Sequence, residues 1–145
     1  MHITTEFTGS RGKLLLEMAE YFVKELKLNK LKSSIVIKPA PKYVFKHSDG
    51  AVNYADGHIE ILISPKLKSY RLGIALAHEF VHASDIARGT LRREVVGDMI
   101  LIFWGADCYE NNELPYLERP WEIKALSNQE ILVRKFDLEN ARKKA

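Results

Sequence analysis

One cysteine, Cys108, is all the chain has in 145 residues, so no internal disulfide can form. It sits in an apolar stretch and reads as a reduced, buried thiol of an intracellular protein. Long hydrophobic runs are missing as well. None approaches the roughly 20 residues of a membrane-spanning helix. The amino terminus, Met1-His2-Ile3-Thr4-Thr5-Glu6, does not follow a signal peptide's basic-then-apolar plan. A cytoplasmic chain with no membrane partner is therefore expected. Excess charge of one sign is scarce too. The 22 Lys and Arg against 19 Asp and Glu leave +3, too slight to argue for nucleic acid. Lysines gather between Lys24 and Lys46, and the end reads Ala141-Arg142-Lys143-Lys144, but solvated basic faces account for both. A nucleic-acid stripe would interleave aromatics with the basic residues. Lys38–Lys46, with Tyr43 and Phe45, only hints at one, and alternating strand exposure explains it equally well.

Apolar residues at 46% and charged residues at 28% suit a globular chain with a real core. No repeat, low-complexity stretch or linker appears, so one domain over residues 1–145 is expected, with 127–145 as an extension of the last helix. Ser10 can cap a helix to about Leu28, whose Leu14, Leu15, Met18, Phe22 and Leu26 recur at helical steps. Short β-type runs follow. Ser34–Lys38 is stopped by Pro39 and Pro41, Tyr43–Lys46 leads to a turn at Ser48-Asp49-Gly50, and Ala51–Tyr54 comes next. Asp56-Gly57 is a two-residue hairpin signal before His58–Ile63, where Ile59, Ile61 and Ile63 alternate as in a half-buried strand. A helix is expected over Ser69–Arg88, stopped by Gly89. A third helix is expected from Arg92 to Asn111, with Val95, Val96, Met99, Ile100, Ile102, Phe103, Ala106 and Tyr109 as its apolar face. A fourth should start at Pro120, whose missing N–H suits a first turn, and run through Leu138 with a break near Ser127-Asn128. The fold class is then α+β: a small, mostly antiparallel sheet of three or four strands packed on about four helices.

The chemistry lies in Leu76-Ala77-His78-Glu79-Phe80-Val81-His82-Ala83. On a helix, His78 and His82 lie about 40° apart around the axis and one turn apart along it. Two neutral imidazoles so placed can share one tetrahedral zinc ion. Glu79 lies about 100° round from His78, within reach of a water on that ion without becoming a ligand. This is the H-E-x-x-H arrangement. The flanks Leu72, Ile74, Ala75, Leu76, Ala77, Phe80, Val81, Ala83 and Ile86 are apolar nearly all round, so the helix is buried. Histidines and a glutamate there need partners, and a metal ion supplies one.

A catalytic zinc needs three protein ligands and an open position. Asp85 is about 10 Å along the axis from His78, too far to share its ion, and reads as an acceptor behind a ligand or as a surface charge. Glu94 and Asp98 are further candidates. Glu122 stands apart from them: it begins a helix beside Trp121, and the small Ala125 one turn on permits close approach to another helix.

H-E-x-x-H followed tens of residues later by a helix carrying E-x-x-A resembles the gluzincin branch of zinc metallopeptidases. The compact layout, from about Ala51 to Ala125, is similar to the single-domain minigluzincins and to short phage and archaeal relatives. The stretch from Pro115 through Glu118-Arg119-Pro120-Trp121-Glu122 to Ala125 fits that group. Metzincins are excluded, because the third histidine they require falls at Arg88. The resemblance implies a zincin-like active-site helix, with His78, His82 and Glu122 as zinc ligands, Glu79 as general base and a peptide or protein as substrate. It departs from many gluzincins in having Leu126 where an aspartate would orient a ligand, so Asp85, Glu94, Asp98 or a backbone carbonyl must do so. It also lacks the second lobe that brings a tyrosine or histidine to the transition state, leaving Tyr109, Tyr116 and His58 as candidates.

The expected activity is zinc-dependent peptide hydrolysis, with His58–Ile63 as the exposed edge on which an extended peptide pairs. A latent form, with residues 127–145 filling the cleft, belongs to the same expectation. The alternative is a non-catalytic zinc-binding structural or interaction domain.

Overall fold

Ile59, Ile61 and Ile63 alternate along one strand and are all buried on one face, as their period of two requires. The computed structural model describes residues 1–41 and 49–144, so the expected strand Tyr43–Lys46 and Ser48 of the expected turn lie outside the described residues. The first sheet holds β1 (His2–Thr5), β2 (Ser34–Pro39), β3 (Gly50–Ala55) and β4 (His58–Ile63), in the spatial order β1-β2-β4-β3. Only β3 and β4 are antiparallel, joined at Asp56-Gly57, where both residues have positive φ as a type I′ turn requires. The pairs β1–β2 and β2–β4 run parallel, with Ile35 opposite Ile59 and Ile37 opposite Ile61. The expectation of a mostly antiparallel sheet is thus corrected to a mixed one. Strand order is long-range information, and β1 is four residues with no turn signal to mark it.

Among the described residues, three α-helices accompany the sheet: α1 (Gly9–Glu25), α2 (Ser69–Ala87) and α3 (Pro120–Lys144). The core lies between the sheet's isoleucine face and α1, α2 and α3. Phe22 of α1 stands edge-on to Phe80 of α2 at 5.7 Å and to Phe136 of α3 at 6.5 Å, tying the three helices together. Gly73 lets α2 approach its neighbours, since a Cβ there would lie 2.9 Å from Met18 Cε and 3.7 Å from Val133 Cγ2. Ala125 is fully buried, in keeping with the close approach expected of it. α3 begins at Pro120 and has no break at Ser127-Asn128. Ser127 Oγ and Asn128 Nδ2 each donate to the carbonyl four residues back, at 2.7 Å, and the helix runs on.

The expected third helix is a second sheet. Its strands β5 (Leu91–Val96), β6 (Met99–Trp104) and β7 (Asp107–Glu110) form an antiparallel meander, which brings the helix count from about four to three. Gly97 and Gly105 hold φ of +62 and +58 at the first central position of each two-residue turn, the place a type II′ hairpin reserves for glycine. Cys108, expected to be buried in a helix, is exposed on β7. Among the described residues, no helix is long and apolar enough to cross a membrane.

Candidate metal centre

α2 is buried over most of its circumference and ends where Gly89 takes φ +77, with the Arg88 N–H returning to the Ser84 carbonyl. The helical spacing stacks His78 and His82, whose ring centroids are 4.8 Å apart and nearly perpendicular. α3 runs antiparallel alongside and delivers Glu122 from its first turn. Oε1 of Glu122 lies 2.9 Å from Nε2 of His78 and 2.9 Å from Nε2 of His82. His78, His82 and Glu122 each offer one ligand atom, all within 4.8 Å of one another, so the group could hold a metal ion.

The hydrogen-bond pattern around these atoms suits a cation. His78 Nδ1 faces the Gln129 side-chain oxygen at 2.7 Å, so Nδ1 carries the proton and donates it. A neutral His78 then aims its Nε2 lone pair at a carboxylate oxygen. Two lone pairs in contact repel, so the contact needs either a second proton on the ring, which makes Nε2 a donor to Glu122, or a divalent ion among the three atoms. Burial raises the Glu122 carboxyl, but hydrogen bonds from His78 and His82 outweigh it and bring it down to about 2. For His78, burial is likewise outweighed by Glu122 and Gln129, and its pKa rises.

Glu79 is 6% exposed, and burial pushes its carboxyl up to about 7 even though His82 and His78 draw it down. It lies against β3. A Cβ on Gly50 would sit 2.9 Å from Glu79 Cγ, 3.1 Å from its Oε1 and 3.0 Å from the Leu62 carbonyl oxygen. The three donors and Glu79 open on a cleft of about 960 Å³. Its walls are β3 at Gly50, Ala51 and Val52, α2 from Arg71 to Ile86, and the start of α3 with Leu91 and Tyr116. Burial and the nearby Glu122 raise the Tyr116 phenol to about 12, so it stays a proton donor.

Compared with models of known protein families, with curated proteins and with solved structures, the chain matches none. The reading of the centre therefore rests on its own atoms.

The other candidates from the sequence fall elsewhere. Glu94 is on exposed β5, 3.6 Å from Arg92, and Asp98 is exposed in the β5–β6 turn. His58 bonds the Ser34 hydroxyl at the far end of β4, and the Tyr109 ring packs 6.0 Å from Trp121. Only Tyr116 of the three transition-state candidates lines the cleft. Asp85 is fully buried and bonds Lys124 Nζ of α3 at 2.5 Å, and Lys124 in turn lies over the Trp104 ring at 5.7 Å. Asp85 thus fastens α3 to α2 two residues from Glu122. The expected edge strand His58–Ile63 is interior, flanked by β2 and β3, and the strand that lines the cleft is β3. Of residues 127–144, Gln129 and no other lies in the cleft wall. The segment continues α3, with Leu132, Val133 and Phe136 in the core. Sequence reasoning missed Gln129 and Gly50. Gln129 is seven residues, or two helical turns, beyond Glu122 and so on its face.

Proposed function

We propose that this chain is a zinc-dependent metallopeptidase, with His78, His82 and Glu122 holding the metal and Glu79 acting as general base. The observation that carries this reading is the meeting of two Nε2 atoms and one carboxylate oxygen beside a separate buried carboxylate, in an open cleft. Three donors among the described residues, with space beside them, fit a catalytic site better than a closed structural one. Two imidazoles and a carboxylate suit zinc among the divalent ions.

Zinc bound there would supply a Lewis acid to polarise a scissile carbonyl and to acidify a water. Glu79, buried beside the three donors, is placed to accept the proton of an attacking water and pass it to the leaving amine. Gln129 fixes the His78 tautomer through Nδ1, and Tyr116 can donate a hydrogen bond to oxygen charge developing in the cleft. β3 forms one wall of the cleft, and the substrate class proposed is an extended peptide lying in that cleft.

The test is the purified protein loaded with zinc and offered a broad peptide mixture, beside Glu79→Gln. Full-length protein should cleave. Glu79→Gln should keep about one zinc per chain and lose roughly 100- to 10,000-fold in rate. Full activity in Glu79→Gln would sink the mechanism, and tight zinc without cleavage would favour the non-catalytic domain.

A further inference from the structure

Six consecutive apolar residues, Met99-Ile100-Leu101-Ile102-Phe103-Trp104, make up β6. A strand reads that way when both of its faces are covered. One face is covered in part within the chain. Trp104 lies under Lys124, and Tyr109, opposite Ile102 in the register, packs on Trp121. The other face carries Met99, Leu101 and Phe103, with Val96 beside Met99. Among the described residues, the side chain that the contacts place over the stripe is Arg92, 4.8 Å above the Phe103 ring. Val96 is 55% exposed and Met99 46%, and no residue of the three strands is buried. That is unusual for so apolar a strand, because isolated exposed apolar residues are common but contiguous stripes are not.

We propose that this face is where a second copy of the chain docks, sheet against sheet, in a two-fold dimer. The charges on the same face favour a second copy over another partner. Arg92 and Glu94 stand side by side on β5, 3.6 Å apart, flanking the apolar stripe. A two-fold interface must be complementary to itself, and an adjacent plus and minus beside a central apolar stripe meets that demand. Rotation about an axis through the β6 stripe sets Arg92 of one copy against Glu94 of the other. With Glu110 also on the face, opposite Leu101, the patch is slightly acidic, which disfavours an anionic lipid surface or nucleic acid. The docking face is opposite to the one that carries Leu91 toward the cleft, so association leaves the metal centre open. Cys108, opposite Phe103, lies on the docking face and becomes a reporter of its burial.

The experiment measures the molar mass of the full chain by sedimentation from micromolar to millimolar concentration, with the rate at which Cys108 reacts with a thiol reagent. The mass should double with concentration while Cys108 becomes protected. Leu101→Glu should return the monomeric mass with zinc uptake unchanged. If Leu101→Glu misfolds, the charge pair decides: Arg92→Glu alone should weaken the dimer, and Arg92→Glu with Glu94→Arg should restore it. A monomeric mass at every concentration with Cys108 reacting at one rate overturns the proposal. So does a dimer indifferent to all of these changes, since it would use another face. Neither result bears on zinc binding or peptide hydrolysis.

Discussion

His78 Nδ1 donates to the side-chain oxygen of Gln129 at 2.7 Å, across the contact between α2 and α3. The helix that supplies Glu122 thus also fixes, two turns later, which nitrogen of His78 faces that carboxylate and could coordinate a metal ion. Replacing Gln129 with Leu should keep the packing and lose the acceptor. Metal affinity should fall roughly 10- to 100-fold, the usual cost of removing a partner behind a ligating histidine. Gln129→Glu keeps an acceptor and should retain most of the affinity. Competition against a chromogenic chelator measures both. Equal affinity in Gln129→Leu would show that the ring is oriented by something else.

Gly50 is needed for the space it leaves. A Cβ there would press on Glu79 Cγ at 2.9 Å and on the Leu62 carbonyl at 3.0 Å, so Gly50→Ala must move Glu79, β3 or both. Displacing a catalytic group by about 1 Å can cost up to about 100-fold in rate. Gly50→Ala should therefore cut turnover well beyond any change in metal content. Steady-state hydrolysis beside metal analysis separates the two effects, and unchanged turnover would mean that Glu79 accommodates the methyl group.

Much of the centre is legible in the sequence because it is built from helical spacing. The positions of His78, Glu79 and His82 relative to one another follow from residues per turn. Glu122 stands out by its place at the start of a helix beside Pro120 and before Ala125. Gln129 was hidden because a glutamine two turns along an ordinary helix has no chemistry of its own until a histidine faces it. The second sheet was misread because Val95–Phe103 is apolar at almost every position, so both helical and strand periods fit. Gly97-Asp98 and Gly105-Ala106 carried the decisive signal as hairpin turns flanked by β-branched and aromatic residues. Parallel pairing of β2 with β4 leaves no local mark at all, since β3, which lies between them in sequence, sits on the far side of β4 from β2.

Lys124 and Asp85 set the register of α3 on α2. Asp85 is fully buried and its Oδ2 has no hydrogen-bond partner among the described residues, so the Lys124 ammonium is what offsets its charge. Lys124→Met removes that charge and keeps the stem over Trp104. Because the lysine side chain is 46% exposed, the loss should fall below the full cost of breaking a buried pair, at roughly 1–3 kcal/mol. Chemical denaturation measures it. Combining Lys124→Met with Asp85→Leu should recover part of the loss, because an apolar pair leaves no buried charge behind. No recovery would mean that Asp85 has a further role in placing Glu122.

The two glutamates of the centre should respond to pH in opposite senses in the metal-free protein. Glu122 is depressed from 4.5 to about 2, so its contribution to stability is present above 4.5 and is lost as pH falls toward 2. Glu79 is raised from 4.5 to about 7, so the fold favours its protonated form. Its contribution is present below 4.5 and is lost as pH rises toward 7. His78, also raised, contributes fully below its ordinary 6.5 and loses that contribution as pH rises through its folded value. Denaturation of metal-free protein should thus show stability falling below pH 4.5 and again on approaching neutrality. Glu79→Gln should remove the part of the neutral decline due to that carboxyl and stabilise the metal-free protein near pH 8 by about 1–3 kcal/mol. In the zinc-loaded protein the proposed base must be the Glu79 carboxylate, and the ion's charge would hold that carboxyl below its metal-free value, so the rate should rise with pH and level off below the interval of the metal-free stability loss. Stability lost and rate gained as pH rises, with Glu79→Gln removing that carboxyl's share of the first and nearly all of the second, would mark a buried carboxyl held for chemistry at a cost to the fold. A rate unchanged in Glu79→Gln would remove Glu79 from the proton transfer.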